Sequence, residues 1–152
     1  MSKSLSKEQI AETSSTYLQQ GRKLESWEIT EVIINDDSLT AVVTMTETSA
    51  SETDNQGFHL TVFSSLEFLS QLMIVYAHDW AGIDAKVREG WMVESSIKCL
   101  GSLRGDEFVV EMDILKMRKR GPNLYCHANF TITETSKPDG DKFVATLKGF
   151  LS

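Results

Sequence analysis

The sequence predicts an α+β domain in which an antiparallel sheet wraps around one long, mostly apolar helix. Three observations carry this expectation. Residues 63–82 form an apolar run too long for a strand, six runs of strand length rich in β-branched and aromatic residues surround it, and turn signals separate those runs. A chain of 152 residues is one ordinary domain, able to hide about two-thirds of its unfolded surface. No linker, repeat or low-complexity tract divides residues 1–152, so a single domain is expected.

Residues 6–20 read as a helix, with Ser6 as cap, Gln9 three positions later and Gly21 as stop. Trp27 to Asn35 and Leu39 to Thr48 read as a hairpin turning at Asp36, Asp37 and Ser38, and residues 49–57 as a polar loop. A helix over 64–81 is predicted next, capped by Ser64 with Glu67 three residues on and stopped at Gly82. At about 100° per residue, Glu67, Ser70, Gln71 and His78 share one stripe, while Leu69, Leu72, Met73 and Tyr76 belong to the apolar remainder. Such a helix must be buried on most of its circumference. Trp91 to Leu100, Phe108 to Arg118, Leu124 to Glu134 and Lys142 to Leu151 then read as four strands of a meander, joined through Arg104-Gly105-Asp106, Gly121-Pro122-Asn123 and Pro138-Asp139-Gly140. Leu124, Cys126, Ala128, Phe130 and Ile132 give one apolar face, and their alternates give a polar or amphipathic one.

Composition excludes several function classes. The net charge is −7 and the sequence pI about 4.9, the wrong sign for a protein that neutralises phosphate backbones, so no nucleic-acid partner is expected. The first residues are polar, with no apolar core of a signal peptide, and no stretch reaches the roughly 18 apolar residues of a membrane span. A soluble cytoplasmic protein that needs no membrane is expected. Cys99 and Cys126 fall in different strand runs without a CxxC spacing, and they read as free thiols in a reducing compartment. There is no GxGxxG, Walker, HExxH or GxSxG pattern, and the three histidines show no metal-ligand spacing, so neither metal nor cofactor is expected.

A hairpin, one apolar helix and four further strands resemble the layout of the hotdog fold, and the resemblance covers nearly the whole chain. Glu67 and Gln71, as Glu-x-x-x-Gln on the helix, resemble the active-site helix of 3-hydroxyacyl-carrier-protein dehydratases, where a glutamate moves protons in a dry acyl tunnel; here Thr61 and Val62 stand where that family has Pro-Gly. Burial in such a tunnel raises a glutamate toward the working pH range. A second resemblance, from Tyr17 to Gly90-Trp91, is to long-chain fatty-acyl-CoA thioesterases of the FcoT type. It is carried by Tyr17, by Phe63-x-x-x-Glu67 and by Arg88-Glu89-Gly90-Trp91, with Gln56 and Met73 at the family's other active positions. Both imply an enzyme of fatty-acid or polyketide metabolism acting on acyl groups held as thioesters on coenzyme A or an acyl carrier protein.

The candidate catalytic residues are therefore Glu67, His59 and Tyr17. Glu67 is also placed to complete a capping box with Ser64, and both roles stay open at this point. His59 is placed to orient a water or a thioester carbonyl, or to serve structure alone. Ser64 and Ser65 mark the helix start whose N–H groups would polarise the carbonyl, with Gln71 a further substrate contact. His127 and Asn129 share a strand face suited to an acyl or pantetheine group or simply to solvent, and Lys116, Arg118, Lys119 and Arg120 would suit phosphates or an acidic carrier surface. His78 near the helix end is expected to meet the dipole as a cation, and Trp27, Trp80 and Trp91 to be core or interface residues. Thioester hydrolysis, dehydration or hydration, and non-catalytic acyl or carrier-protein binding are the readings carried forward. Because one sheet leaves a bare edge and an acyl group needs cover, a homodimer with pockets at its interface is expected.

Overall fold

The computed structural model describes residues 25–50 and 54–152; the helix expected over 6–20 and Tyr17 lie outside them. The elements run β1 (Ser26–Asn35), β2 (Ser38–Glu47), α1 (Val62–Trp80), β3 (Gly90–Leu100), β4 (Glu107–Arg120), β5 (Asn123–Glu134) and β6 (Lys137–Leu151). The strands make one six-stranded antiparallel sheet in the order β1-β2-β4-β5-β6-β3.

The helix lies across the sheet's concave face. Its Leu69, Leu72, Met73 and Tyr76 are at most 3% exposed, as expected from the apolar stripe. They pack with Phe68 against Leu39, Ala41 and Val43 of β2, Phe108, Val110 and Met112 of β4, and Cys126, Ala128, Phe130 and Ile132 of β5. Each set recurs every second residue, as a sheet with one covered face requires. Trp27 of β1 closes the cluster edge-on to Phe68, with ring centres 6.0 Å apart.

The β1–β2 hairpin turns at Asp36 and Asp37 as expected, Asp36 taking a positive φ of 36° that a short polar side chain tolerates. Tyr76 of α1 donates its hydroxyl to the Asp36 carbonyl at 2.7 Å, pinning this turn to the helix. The helix begins earlier than predicted. Thr61, in extended conformation, is the N-cap, its hydroxyl accepting from the Ser64 N–H at 3.3 Å. Ser64 therefore lies inside the first turn, because Leu60 is already tied by its N–H to the Leu103 carbonyl at 2.7 Å and fixes where the chain stops being extended. The predicted stop holds: Gly82 takes a φ of 69°, and Gly82 and Ile83 donate to the Asp79 and His78 carbonyls in a Schellman arrangement.

Two connections differ from the expected meander. β3 does not pair with β4; it lies beside β6 at the far edge, and residues 101–106 carry the chain back past β6 and β5 to β4. The helix crosses the whole concave face between β2 and β3, which delivers β3 to the opposite edge. The β5–β6 turn comes at residues 135–136, and the pairing jumps from Glu134↔Lys137 to Thr133↔Lys142. Residues 138–141 thus loop out of β6, where Pro138 has no N–H to give a ladder.

Candidate functional site

Along the β3 edge the concave face is not fully covered, and a groove of about 420 Å³ opens between α1 and the inner side of β3. Its helix wall carries Phe63, Leu66, Glu67, Ser70, Gln71 and Ile74; its strand wall carries Gly90, Met92 and Ser95, with Trp91 and Phe150 at the rim. Helical spacing places Glu67 and Gln71 one turn apart on this wall, as the sequence predicts. Gly149 lies where a Cβ would come within 3.1 Å of the Trp91 carbonyl and 3.5 Å of the Met73 methyl, so its lack of a side chain lets helix and strand edge approach.

The Glu67 carboxylate is exposed in the single chain rather than held in a dry tunnel. Since Thr61 caps the helix, Glu67 falls beyond the first turn, outside the capping-box position. Ser64 and Ser65 are buried: the Ser64 hydroxyl donates to Glu25 and the Ser65 hydroxyl to the Thr61 carbonyl at 2.7 Å. Their side chains hold the helix start in place.

His59 does not line the groove. Its Nδ1 is 2.9 Å from Asp54 Oδ2, and the same carboxylate receives Arg104 Nη1 at 3.1 and 3.2 Å and the Gln56 N–H at 3.0 Å. The His59 hydrogen bond, joined by those from Gln56 and Arg104, holds the Asp54 carboxyl below its ordinary range. The cluster ties the turn before α1 to the β3–β4 connection. His78 departs from the expected role. It is 6% exposed, its Nδ1 bonds the Ile74 carbonyl at 2.8 Å, and its Nε2 accepts from the Val87 N–H at 3.3 Å. Through these two bonds His78 latches the segment that leads into β3.

His127 and Asn129 lie on the outer face, since their neighbours Cys126, Ala128 and Phe130 point inward. Asn129 accepts from the Thr146 hydroxyl at 2.7 Å. Lys116, Arg118 and Arg120 alternate on that same face of β4. None of these five lines the groove of Glu67. Met92 and Ser95 of the strand wall and Phe150 at the rim were not foreseen, because a strand run does not say which strand will stand at an edge. Cys99 and Cys126 are both free thiols. Among the described residues no group of three or more His, Cys, Asp or Glu could hold a metal ion, and no helix is long and apolar enough to cross a membrane.

No family model and no curated protein matches the sequence. Solved structures do. The thioesterase HI1161 of Haemophilus influenzae superposes with a TM-score of 0.58 at 9% identity, covering 99% of this chain and 92% of that one. A variant of the thioesterase PA1618 of Pseudomonas aeruginosa gives 0.55 at 14% identity, covering 98% and 95%. A hypothetical thioesterase of Streptococcus pneumoniae, solved with coenzyme A, gives 0.54 at 17% identity, covering 84% and 89%. With its sheet wrapped around one helix over this full length, the chain has the hotdog fold.

Proposed function

We propose that this protein hydrolyses acyl thioesters carried on coenzyme A or an acyl carrier protein. The observation that carries the reading is the groove, where the Glu67 carboxylate and the Gln71 amide share one wall with Phe63, Leu66 and Ile74, a polar pair beside an apolar bed. The Glu67 carboxylate takes a proton from a water, whose oxygen attacks the thioester carbonyl carbon; the C–S bond then breaks and the thiolate leaves to be protonated. N–H groups of the first helical turn other than that of Ser64, which the Thr61 hydroxyl already holds, are the donors for the carbonyl oxygen. The thioesterases of like fold support the same chemistry. His59 stands apart from Glu67 in the single chain, so a His/Glu dehydratase pair has no support in this groove. A non-catalytic acyl-binding module is the second reading, favoured by the exposure of Glu67.

The groove is open along β3, where Trp91, Met92, Val93 and Leu100 are 43–63% exposed. A second copy pairing there would cover the groove and dry the surroundings of Glu67. The unpaired thiols suit a reducing, cytoplasmic setting. A panel of acyl-CoA and acyl-carrier-protein substrates of graded length, read for free thiol and for loss of water separately, tests the activity. Glu67→Gln should melt near wild type and lose about 10²–10⁴ in turnover. Unchanged turnover in this folded variant ends the catalytic assignment, and binding without turnover across the whole panel selects the module.

A further inference from the structure

The outer face of the sheet carries a second feature that the groove chemistry does not use. Lys116, Arg118 and Arg120 point away from the helix at the end of β4, and Lys119 adds a further charge there. The guanidinium carbons of Arg118 and Arg120 lie 5.2 and 5.5 Å from the centre of the Tyr125 ring. Tyr125 contacts Phe150, with ring centres 5.1 Å apart, and Phe150 is paired in turn with Trp91. This row crosses β4, β5, β6 and β3, and its last two members form the rim of the groove. Three strand spacings, about 14–15 Å, separate its ends.

In a chain with 22 acidic and 15 basic residues, cations are expected to find carboxylates. Among the described residues, however, the ion pairs involve His59, Lys86, Arg104, Lys137 and Lys148, and none involves Lys116, Arg118, Lys119 or Arg120. Four cations with no ion pair among the described residues, and adjoining aromatic rings, describe a site for an anion attached to a flat ring.

Resting on the thioester reading of the groove, we propose that this row binds the nucleotide end of a coenzyme-A-type thioester. The phosphates lie on Lys116, Arg118 and Arg120, the base lies along the Tyr125–Phe150 aromatic row, and the pantetheine arm passes round the Gly90 end of β3, beside Trp91, into the groove. The span of the row is of the order of an extended phosphopantetheine arm. A carrier protein with an acidic surface is disfavoured, because it would meet the field of a chain of net charge −7, whereas a small ligand feels chiefly the local cations.

Titration calorimetry with free coenzyme A and with adenosine 3′,5′-bisphosphate tests the site without requiring turnover. Both probes should bind wild type and Glu67→Gln alike, and the Arg118→Gln/Arg120→Gln protein should bind about 10–100-fold more weakly. The same double variant should raise KM for an acyl-CoA and leave turnover of the matching acyl-N-acetylcysteamine thioester unchanged. If it melts below wild type, Lys116→Gln, a change at an exposed side chain, should show the same pattern with a smaller loss. Absence of probe binding to wild type, wild-type affinity in the folded variants, or equal loss on both thioesters overturns the proposal. So does a loss confined to acyl-carrier-protein substrates, which would assign the patch to a carrier protein. Probe binding that behaves as expected in a protein hydrolysing no thioester retains the nucleotide site and removes the hydrolase reading.

Discussion

Glu67 and Glu134 are spent differently, and burial explains why. Glu134 is 6% exposed, and its Oε1 receives the N–H groups of Arg104 and Gly105, so it clasps the β3–β4 connection. Glu67 is exposed at the groove wall. Its position was legible in the sequence because Glu-x-x-x-Gln on a helix fixes a shared face whatever surrounds it. The partnership of His59 with Asp54 was not, since it depends on how an irregular turn meets a distant connection. Cys126 offers a quantitative test at this scale. Burial among core side chains pushes its thiol from about 9 up to about 12. Below pH 9 the thiol is protonated in both folded and unfolded chains and contributes no pH dependence. Between pH 9 and about 12 the unfolded chain alone releases the proton, so stability should fall as pH rises through that window. Urea midpoints measured across this range should show a shallower decline in Cys126→Ala than in wild type, and parallel declines would contradict the buried-thiol account.

At the scale of elements, local signals located the helix and all six strands, because apolar periods of 3.6 and 2 survive whatever the topology becomes. They did not settle the helix start. Thr61 and Ser64 have the same capping chemistry, and the choice between them is made by the bond from Leu60 to Leu103, on a segment more than 40 residues away. Nor did they separate a hairpin from a crossover: Arg104-Gly105-Asp106 has turn composition in either case, and here it lies within a crossover. The cap assignment has a direct consequence. Thr61→Ala should destabilise the protein by about 0.5–2 kcal/mol, whereas Glu67→Ala, beyond the first turn and exposed, should cost less. Thermal or urea denaturation of the two variants decides the matter, and the reverse order of losses would return the cap to the Ser64–Glu67 pair.

For the whole molecule the question is which edge of the sheet remains bare. β1 carries Glu28 and Glu31 and two register shifts, features that blunt an edge against pairing. β3 bonds β6 on one side only and exposes Trp91, Met92, Val93 and Leu100, an apolar edge that a soluble monomer would be expected to cover. It is also the open side of the groove, so one event, edge-to-edge pairing of two β3 strands, would hide Met92, Val93 and Leu100 and enclose Glu67, leaving the Gly90 end of β3 as the way in. Light scattering at micromolar concentration should therefore return twice the 17.0 kDa chain mass. Val93 is 58% exposed and lies at the register shift of β3, so Val93→Lys should leave the core intact while placing a charge in the new interface. This variant should scatter as a 17.0 kDa monomer, keep its helical circular dichroism, and lose thioester turnover with Glu67 unaltered. A wild-type monomer would remove the dimer and leave the groove wet. A Val93→Lys dimer that still turns over would move the interface to another face of the sheet, because a lysine buried against its symmetry mate at a paired β3 edge carries an uncompensated charge that such an interface does not tolerate.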